Sequence, residues 1–134
     1  MKIHELPFGK FIELNDVFVE VIIYEGVELT VEMLDQFQDY LVNKKSNLTG
    51  VLYNKINDYT YTFEAQMRLG QLPGIDAIAV VAYSQISRQV TESIIKMSRN
   101  SSWNIRVFDN RKDAIGWLRK ELGELEKPAS GSAF

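Results

Sequence analysis

The chain has 134 residues, 46% of them hydrophobic and 25% charged, with a formal net charge of −3 and no cysteine. That length fits one domain able to bury roughly two-thirds of its unfolded surface, and the balanced composition excludes disordered and fibrous classes. The missing cysteines exclude disulfides, thiolate catalysis and cysteine metal sites, and the acidic balance excludes nucleic acid as the main partner, because phosphate neutralisation needs a dense basic stripe.

The nearest basic pairs, Lys44-Lys45 and Arg111-Lys112, read as solvated charges at helix ends. The opening residues MKIHELPFGK hold no apolar run long enough for a signal peptide. No window approaches the ~18 apolar residues of a membrane span. A cytoplasmic protein, not a membrane protein, is expected.

In chain order, residues 11–14 and 17–24 are rich in β-branched and aromatic side chains, and Asn15-Asp16 between them is a turn that closes a β-hairpin. Val17, Val19, Val21 and Ile23 alternate with Phe18, Glu20, Ile22 and Tyr24, so the second strand has one apolar and one mixed face. Glu25-Gly26 breaks that strand. Thr30 then caps a helix over residues 31–43, in which Met33, Leu34, Phe37, Tyr40 and Leu41 recur at helical spacing and Lys44-Lys45 close the negative end. Residues 51–53 form a short apolar strand, followed by a polar, tyrosine-rich loop. A second helix starts near Thr62 and passes Phe63, Met67 and Leu69 before Gly70 and Pro73-Gly74 end it.

The run AIAVVAY at 77–83 is apolar throughout and too short for a helix, which marks a central strand covered on both faces. Ser84 caps a third helix in which Ile86, Val90, Ile94 and Met97 trace one face. Residues 103–108 form the last strand. Asp109 or Asn110 caps a fourth helix with Ala114, Ile115, Trp117, Leu118 and Leu122 inward.

Such alternation requires right-handed crossovers and a mainly parallel sheet. The expected fold is one α/β domain over residues 1–125, an N-terminal β-hairpin followed by repeated βα units, with a five-stranded, mostly parallel sheet and four helices. Residues 126–134, which lack periodicity, are expected to form a disordered tail. With the helices mostly on one face, Phe11, Phe18 and Ile22 are expected to find cover in a homodimer.

The leading hairpin, Gly26-Val27-Glu28-Leu29-Thr30 entering the first helix, the polar loop after Leu52-Tyr53, the run at 77–83 and the closing Ala114-Ile115-Gly116-Trp117-Leu118 together resemble the SpoIIAA-like group. This is the STAS superfamily of anti-sigma factor antagonist and sulphate transporter domains. The resemblance covers about residues 8–122 and is nearest to small bacterial members related in fold to CRAL-TRIO lipid-binding domains. It implies a regulatory module that binds a partner protein. Through the CRAL-TRIO relationship it alternatively implies a carrier or sensor of a hydrophobic small molecule or lipid. Regulatory STAS domains carry an Asp-Ser-Ser/Thr-Gly motif whose serine is phosphorylated. Here that region reads Asn54-Lys55-Ile56-Asn57-Asp58, so no phosphoserine carries over, and the nearest hydroxyls, Thr60 and Thr62, read as helix caps.

No general base is apparent. The single histidine, His4, falls in what reads as a solvated N-terminal tail, which removes a Ser-His-Asp triad. Neither GxGxxG nor GxxxxGK[ST] occurs. Asp58 and Glu64 read as a turn aspartate and an exposed helix glutamate, not an acid/base pair. Neither enzymatic activity nor a cofactor or metal is expected.

Position is what remains. Loops after neighbouring parallel strands meet at one rim of a sheet, where Tyr59, Tyr61 and Tyr83 would line an amphipathic pocket with Asn54, Lys55, Asn57, Asp58 and Ser84 as polar contacts. The expected occupant is a partner protein or a small apolar or anionic molecule, bound without turnover. Replacing Tyr59 and Tyr61 by alanine is then expected to leave folding nearly intact.

Overall fold

A computed structural model describes residues 2–44, 49–68, 75–97 and 104–123, with the backbone alone at 41–44 and 97. One sheet contains, in spatial order, β1 (Lys2–Leu6), β2 (Gly9–Glu13), β3 (Phe18–Ile23), β5 (Gly50–Lys55), β7 (Ala77–Ala82) and β8 (Ile105–Phe108). A separate two-stranded ribbon is made by β4 (Glu28–Leu29) and β6 (Thr60–Tyr61). The first three strands of the large sheet form an antiparallel meander, and β3, β5, β7 and β8 run parallel. The expected hairpin is β2–β3, where Asn15 Oδ1 accepts from the backbone N–H of Val17 at 2.8 Å and of Phe18 at 3.0 Å, the local bond that suits asparagine to turns.

The α/β class and the mostly parallel sheet agree with the sequence, but the large sheet has six strands and not five. The additional strand is β1. As an edge strand it is half solvated and carries Lys2, His4 and Glu5, a composition that resembles a tail. His4 is therefore not in a solvated tail: its Nε2 lies 2.7 Å from Glu13 Oε2, and the Tyr40 hydroxyl donates to the same oxygen at 3.3 Å.

The four helices are α1 (Val31–Lys44), α2 (Phe63–Arg68), α3 (Gln85–Met97) and α4 (Arg111–Glu121). From β3 to β8 the strand order never reverses, so right-handed crossovers place α1, α2 and α3 on one face. Since α4 ends the described chain without a following strand, it is free to cover the other face. The pleat sorts side chains between two cores. Val19, Val21, Val51, Tyr53, Ile78 and Val80 pack with Phe37 of α1, whereas Phe18, Leu52, Ala79 and Val81 pack with Ala114 and Leu118 of α4. A smaller cluster of Leu34, Ala65 and Ile94 joins α1, α2 and α3.

The expectation that Phe11 and Phe18 look for cover does not hold. Phe11 and Phe18 are fully buried, Phe11 against the rings of Phe37 and Tyr40 at 4.8 and 5.0 Å and Phe18 beneath α4, so neither is available to a second copy. Only Ile22 of the three is partly exposed. In α3 the buried arc runs through Thr91 and Ile94, which leaves Ile86 75% and Val90 49% exposed. Lys45, Leu69, Gly70, Pro73-Gly74, Trp103, the tail, and the side chains of Leu41, Lys44 and Met97 lie outside the described residues. Among the described residues no helix is long and apolar enough to cross a membrane.

Two glycines test the packing in opposite directions. A Cβ at Gly9 would meet the Ile22 carbonyl oxygen at 2.6 Å and Ile23 Cα at 3.1 Å, whereas one at Gly116, within α4, would have nothing within 4 Å. Gly9→Ala should lower the unfolding free energy by about 1–3 kcal/mol as an overpacked site does. Gly116→Ala should raise it by roughly 0.5–1 kcal/mol through helix propensity. Urea unfolding of the two variants checks both signs.

Candidate ligand-binding site

The strand β5 runs two residues further than its apolar composition indicates, so Asn54 and Lys55 are strand residues and not loop residues. Successive residues of a strand face opposite ways, and the two polar side chains part company. Asn54 turns to the α4 face, where its Nδ2 donates to Glu20 Oε2 at 2.7 Å. Arg111, in the first turn of α4, grips the same carboxylate through Nε at 3.0 Å and Nη2 at 2.8 Å. Glu20 is 2% exposed, and this two-pronged contact, which holds the Arg111 guanidinium above its usual value, anchors α4 to the sheet. Arg111 is thus an ion-pair partner and not a solvated charge.

Lys55 turns to the opposite face, under α3. Its Nζ donates to Thr91 Oγ1 at 3.0 Å, and the Thr91 hydroxyl passes its own proton to the Ser87 carbonyl at 2.9 Å. The Tyr59 and Tyr61 ring centroids lie 5.3 and 5.8 Å from the same Nζ, within reach of a cation–π contact. No carboxylate among the described residues pairs with it. Burial lowers the Lys55 ammonium to about 8, and burial likewise pushes the Tyr53, Tyr59 and Tyr61 phenols up.

The loops above Lys55 are laced together by backbone bonds. Gly26 N–H donates to the Asp58 carbonyl at 2.7 Å and Thr60 N–H to the Val27 carbonyl at 3.0 Å, so that β4 and β6 pair in parallel. Gly26 sits at φ 79°, a left-handed conformation glycine adopts without penalty. Asn57 Nδ2 donates to the Ile23 carbonyl at 2.9 Å, and Asp58 N–H to Glu25 Oε1 at 3.0 Å. Thr62 caps α2 by accepting from Ala65 N–H at 3.1 Å, and Ser84 caps α3 by accepting from Ser87 N–H at 3.0 Å.

Between this ribbon and α3 lies a cavity of about 410 Å³. Lys55 lies at its sheet side, Glu25, Gly26 and Val27 with Asn57, Asp58, Tyr59 and Thr60 form the ribbon wall, and Ser84, Ile86, Ser87 and Val90 form the helical wall. Five residues named from the sequence, Lys55, Asn57, Asp58, Tyr59 and Ser84, come together here. Three do not line it. Asn54 is on the other face, Tyr83 is exposed beyond β7 on the Arg111 side, and Tyr61 packs beneath. Tyr59 and Tyr61 stack edge to face with centroids 5.5 Å apart and both pack on the main core, so the expectation that they can be removed without harm to folding is corrected.

Glu25, Gly26, Val27, Thr60, Ile86, Ser87 and Val90 also line it and were not named from the sequence. Glu25, Gly26 and Val27 were legible as the loop after the neighbouring parallel strand; the helical spacing of Ile86 and Val90 marks one face of α3 without saying what that face meets. The His4–Glu13–Tyr40 group lies away from this rim, at the β1–β2 edge under α1. Among the described residues no group of three or more His, Asp or Glu side chains is placed to hold a metal ion. No family model, no curated protein and no solved structure matches the chain.

The lysine penalises the fold that holds it. Its usual value of 10.5 falls to about 8, and at about 1.4 kcal/mol per unit this amounts to a penalty on the order of 3 kcal/mol while the group is charged. Unfolded chain keeps that proton up to pH 10.5 and folded chain only to about 8, so the penalty is complete below pH 8 and is relieved as pH rises above it. Lys55→Met should therefore stabilise the protein by about 1–3 kcal/mol at pH 7. The gain should shrink between pH 8 and 10, as followed by urea unfolding at a series of pH values.

Proposed function

We propose that this chain is a non-enzymatic binding module, a carrier or sensor that takes a small amphipathic molecule with one negative charge into the rim cavity. The observation that carries the reading is Lys55, a half-buried ammonium on the cavity wall that no carboxylate among the described residues neutralises. Buried charges are ordinarily paired, and an anionic ligand would supply the missing partner. Val27, Ile86 and Val90 offer the ligand an apolar wall, while Asn57, Ser84 and Ser87 offer polar contacts. The exposed carboxylates Glu25 and Asp58 on the ribbon wall disfavour ligands of higher negative charge. A volume of about 410 Å³ lies within the range of small-molecule sites, roughly 300–1,000 Å³. Cytoplasmic placement belongs to the same proposal.

A second reading, a STAS-like regulatory module that docks a partner protein, is supported by a different observation. Phe63 and Met67 on α2 are 63% and 40% exposed, and Ile86 and Val90 on α3 are also largely uncovered. Exposed large apolar side chains on neighbouring helices are a feature that protein contact sites share.

Titration calorimetry with octanoate and with octanol separates charge recognition from apolar binding. Octanoate affinity should be level between about pH 6 and 8, where the ligand is an anion, and fall about tenfold per pH unit above 8, as the lysine loses its proton, while octanol binding should not change with pH. Lys55→Met should weaken octanoate at least tenfold. Equal octanoate affinity in the variant would refute the proposal, and a partner protein retained by Lys55→Met but released by Phe63→Asp would favour the second reading.

A further inference from the structure

The geometry points to a covalent use of the same nitrogen: Lys55 Nζ captures an aldehyde or ketone with an apolar body as a reversible imine within the rim cavity. This inference rests on the reading of the cavity as a ligand site and adds a second class of ligand, neutral carbonyl compounds, to the anionic one. Three placements support it. The amine stands on the wall of an accessible cavity of about 410 Å³ and is not sealed within the core. Its hydroxyl neighbour Thr91 spends its proton on the Ser87 carbonyl and so accepts from Nζ without donating to it. That arrangement orients the nitrogen. The Tyr59 and Tyr61 rings, 5.3 and 5.8 Å from Nζ, would favour a protonated imine as they favour the ammonium.

The charged and titratable groups around Nζ leave it free to react. From the β3–α1 connection comes Glu25, and from the β5–β6 loop come Asp58 and Tyr59, with Tyr61 from β6 below; none of the carboxylates forms an ion pair with the lysine. The α3 wall contributes Ser84, Ser87 and Thr91 and no charge. Burial lowers the ammonium to about 8, so about one-tenth of it is neutral at pH 7, on the order of a hundredfold more than for a surface lysine. Only the neutral amine has a lone pair to give.

In the reaction that lone pair attacks the carbonyl carbon and the carbonyl π pair moves to oxygen, which takes up the proton lost from nitrogen to give a carbinolamine. The C–O bond then breaks and the oxygen leaves with a second proton as water, while nitrogen completes the C=N bond. One carbonyl and one amine yield one imine and one water, with no oxidant or reductant. The protons exchange with water at the cavity mouth. Val27, Ile86 and Val90 cover the apolar body and limit access of water for the reverse step.

Reductive trapping tests the inference. The full chain is treated with substoichiometric hexanal and sodium cyanoborohydride at pH 7.5, then analysed by intact mass and peptide mapping. Lys55 should be alkylated at least tenfold faster than any of the other eight lysines, and octanoate should slow its labelling alone. The terminal α-amine, which titrates near 8 in most chains, serves as an internal reference that octanoate does not protect. Lys55→Arg keeps the positive charge but cannot form an imine, so it should lose the adduct while labelling of the other lysines is unchanged. Label spread evenly over the lysines, or absent from Lys55, with octanoate binding intact would overturn the imine and leave the anion site standing. Loss of octanoate binding and of Lys55 labelling together would overturn both.

Discussion

From β3 to β8 every parallel strand is added on the same side of the one before it, and every crossover must be right-handed. These two conditions fix most of the architecture. They put α1, α2 and α3 on one face, leave α4 for the other, and deny the sheet the reversal of strand order at which open α/β sheets usually form a crevice. The cavity therefore has to be built in another way. The connections after β3 and β5 rise together as the β4–β6 ribbon, and the exposed first turns of α3 face it. Lys55 is the last residue of β5 on the helix-bearing face, so the same pleat that fills the core with Val51 and Tyr53 delivers an ammonium beneath the opening.

Two charged residues stand on neighbouring strands of this sheet, Glu20 buried and Lys55 half-buried, and their environments differ in kind. Glu20 receives both prongs of Arg111 and the amide of Asn54, which is the condition under which a buried carboxylate is tolerated. That network explains itself as an anchor for α4. Lys55 has one hydroxyl and two aromatic faces, which offset only part of the cost of desolvation. A methionine would fit the same stem and carry no such penalty. This ammonium without a carboxylate partner among the described residues is the ground on which the proposed ligand site rests.

The parts of the fold set by local chemistry were legible. Asn15 in its turn, Thr30, Thr62, Ser84 and Asn110 at their helix starts, and the apolar run of β7 all act within a few residues of themselves. The parts set by distant partners were not. β1 is a strand because β2 offers it an edge, and its own composition resembles a solvated tail. β4 and β6 have two residues each and exist only because two loops meet. Asn54 and Lys55 were both visible as polar residues, but the pleat that sends them to opposite faces requires knowing that the strand continues past Tyr53. The spacing of Ile86 and Val90 was read correctly as one side of a helix, yet spacing alone does not say which side meets the sheet.

The tyrosines show why role and packing cannot be separated by composition. Tyr59 lines the cavity and also packs on the core, and Tyr61 supports both the ring of Tyr59 and the ammonium. Lys55 is the element expected to be separable, since burial lowers its ammonium and its replacement should relieve the fold. Its two proposed uses call for opposite protonation states of one nitrogen. A negatively charged ligand would raise the ammonium by direct attraction and so hold it as a cation, which favours simple ion pairing. A neutral carbonyl compound exerts no such pull and displaces water from the amine, which favours the neutral form and bond formation. The charge of the ligand would thus select between reversible pairing and covalent capture at a single lysine.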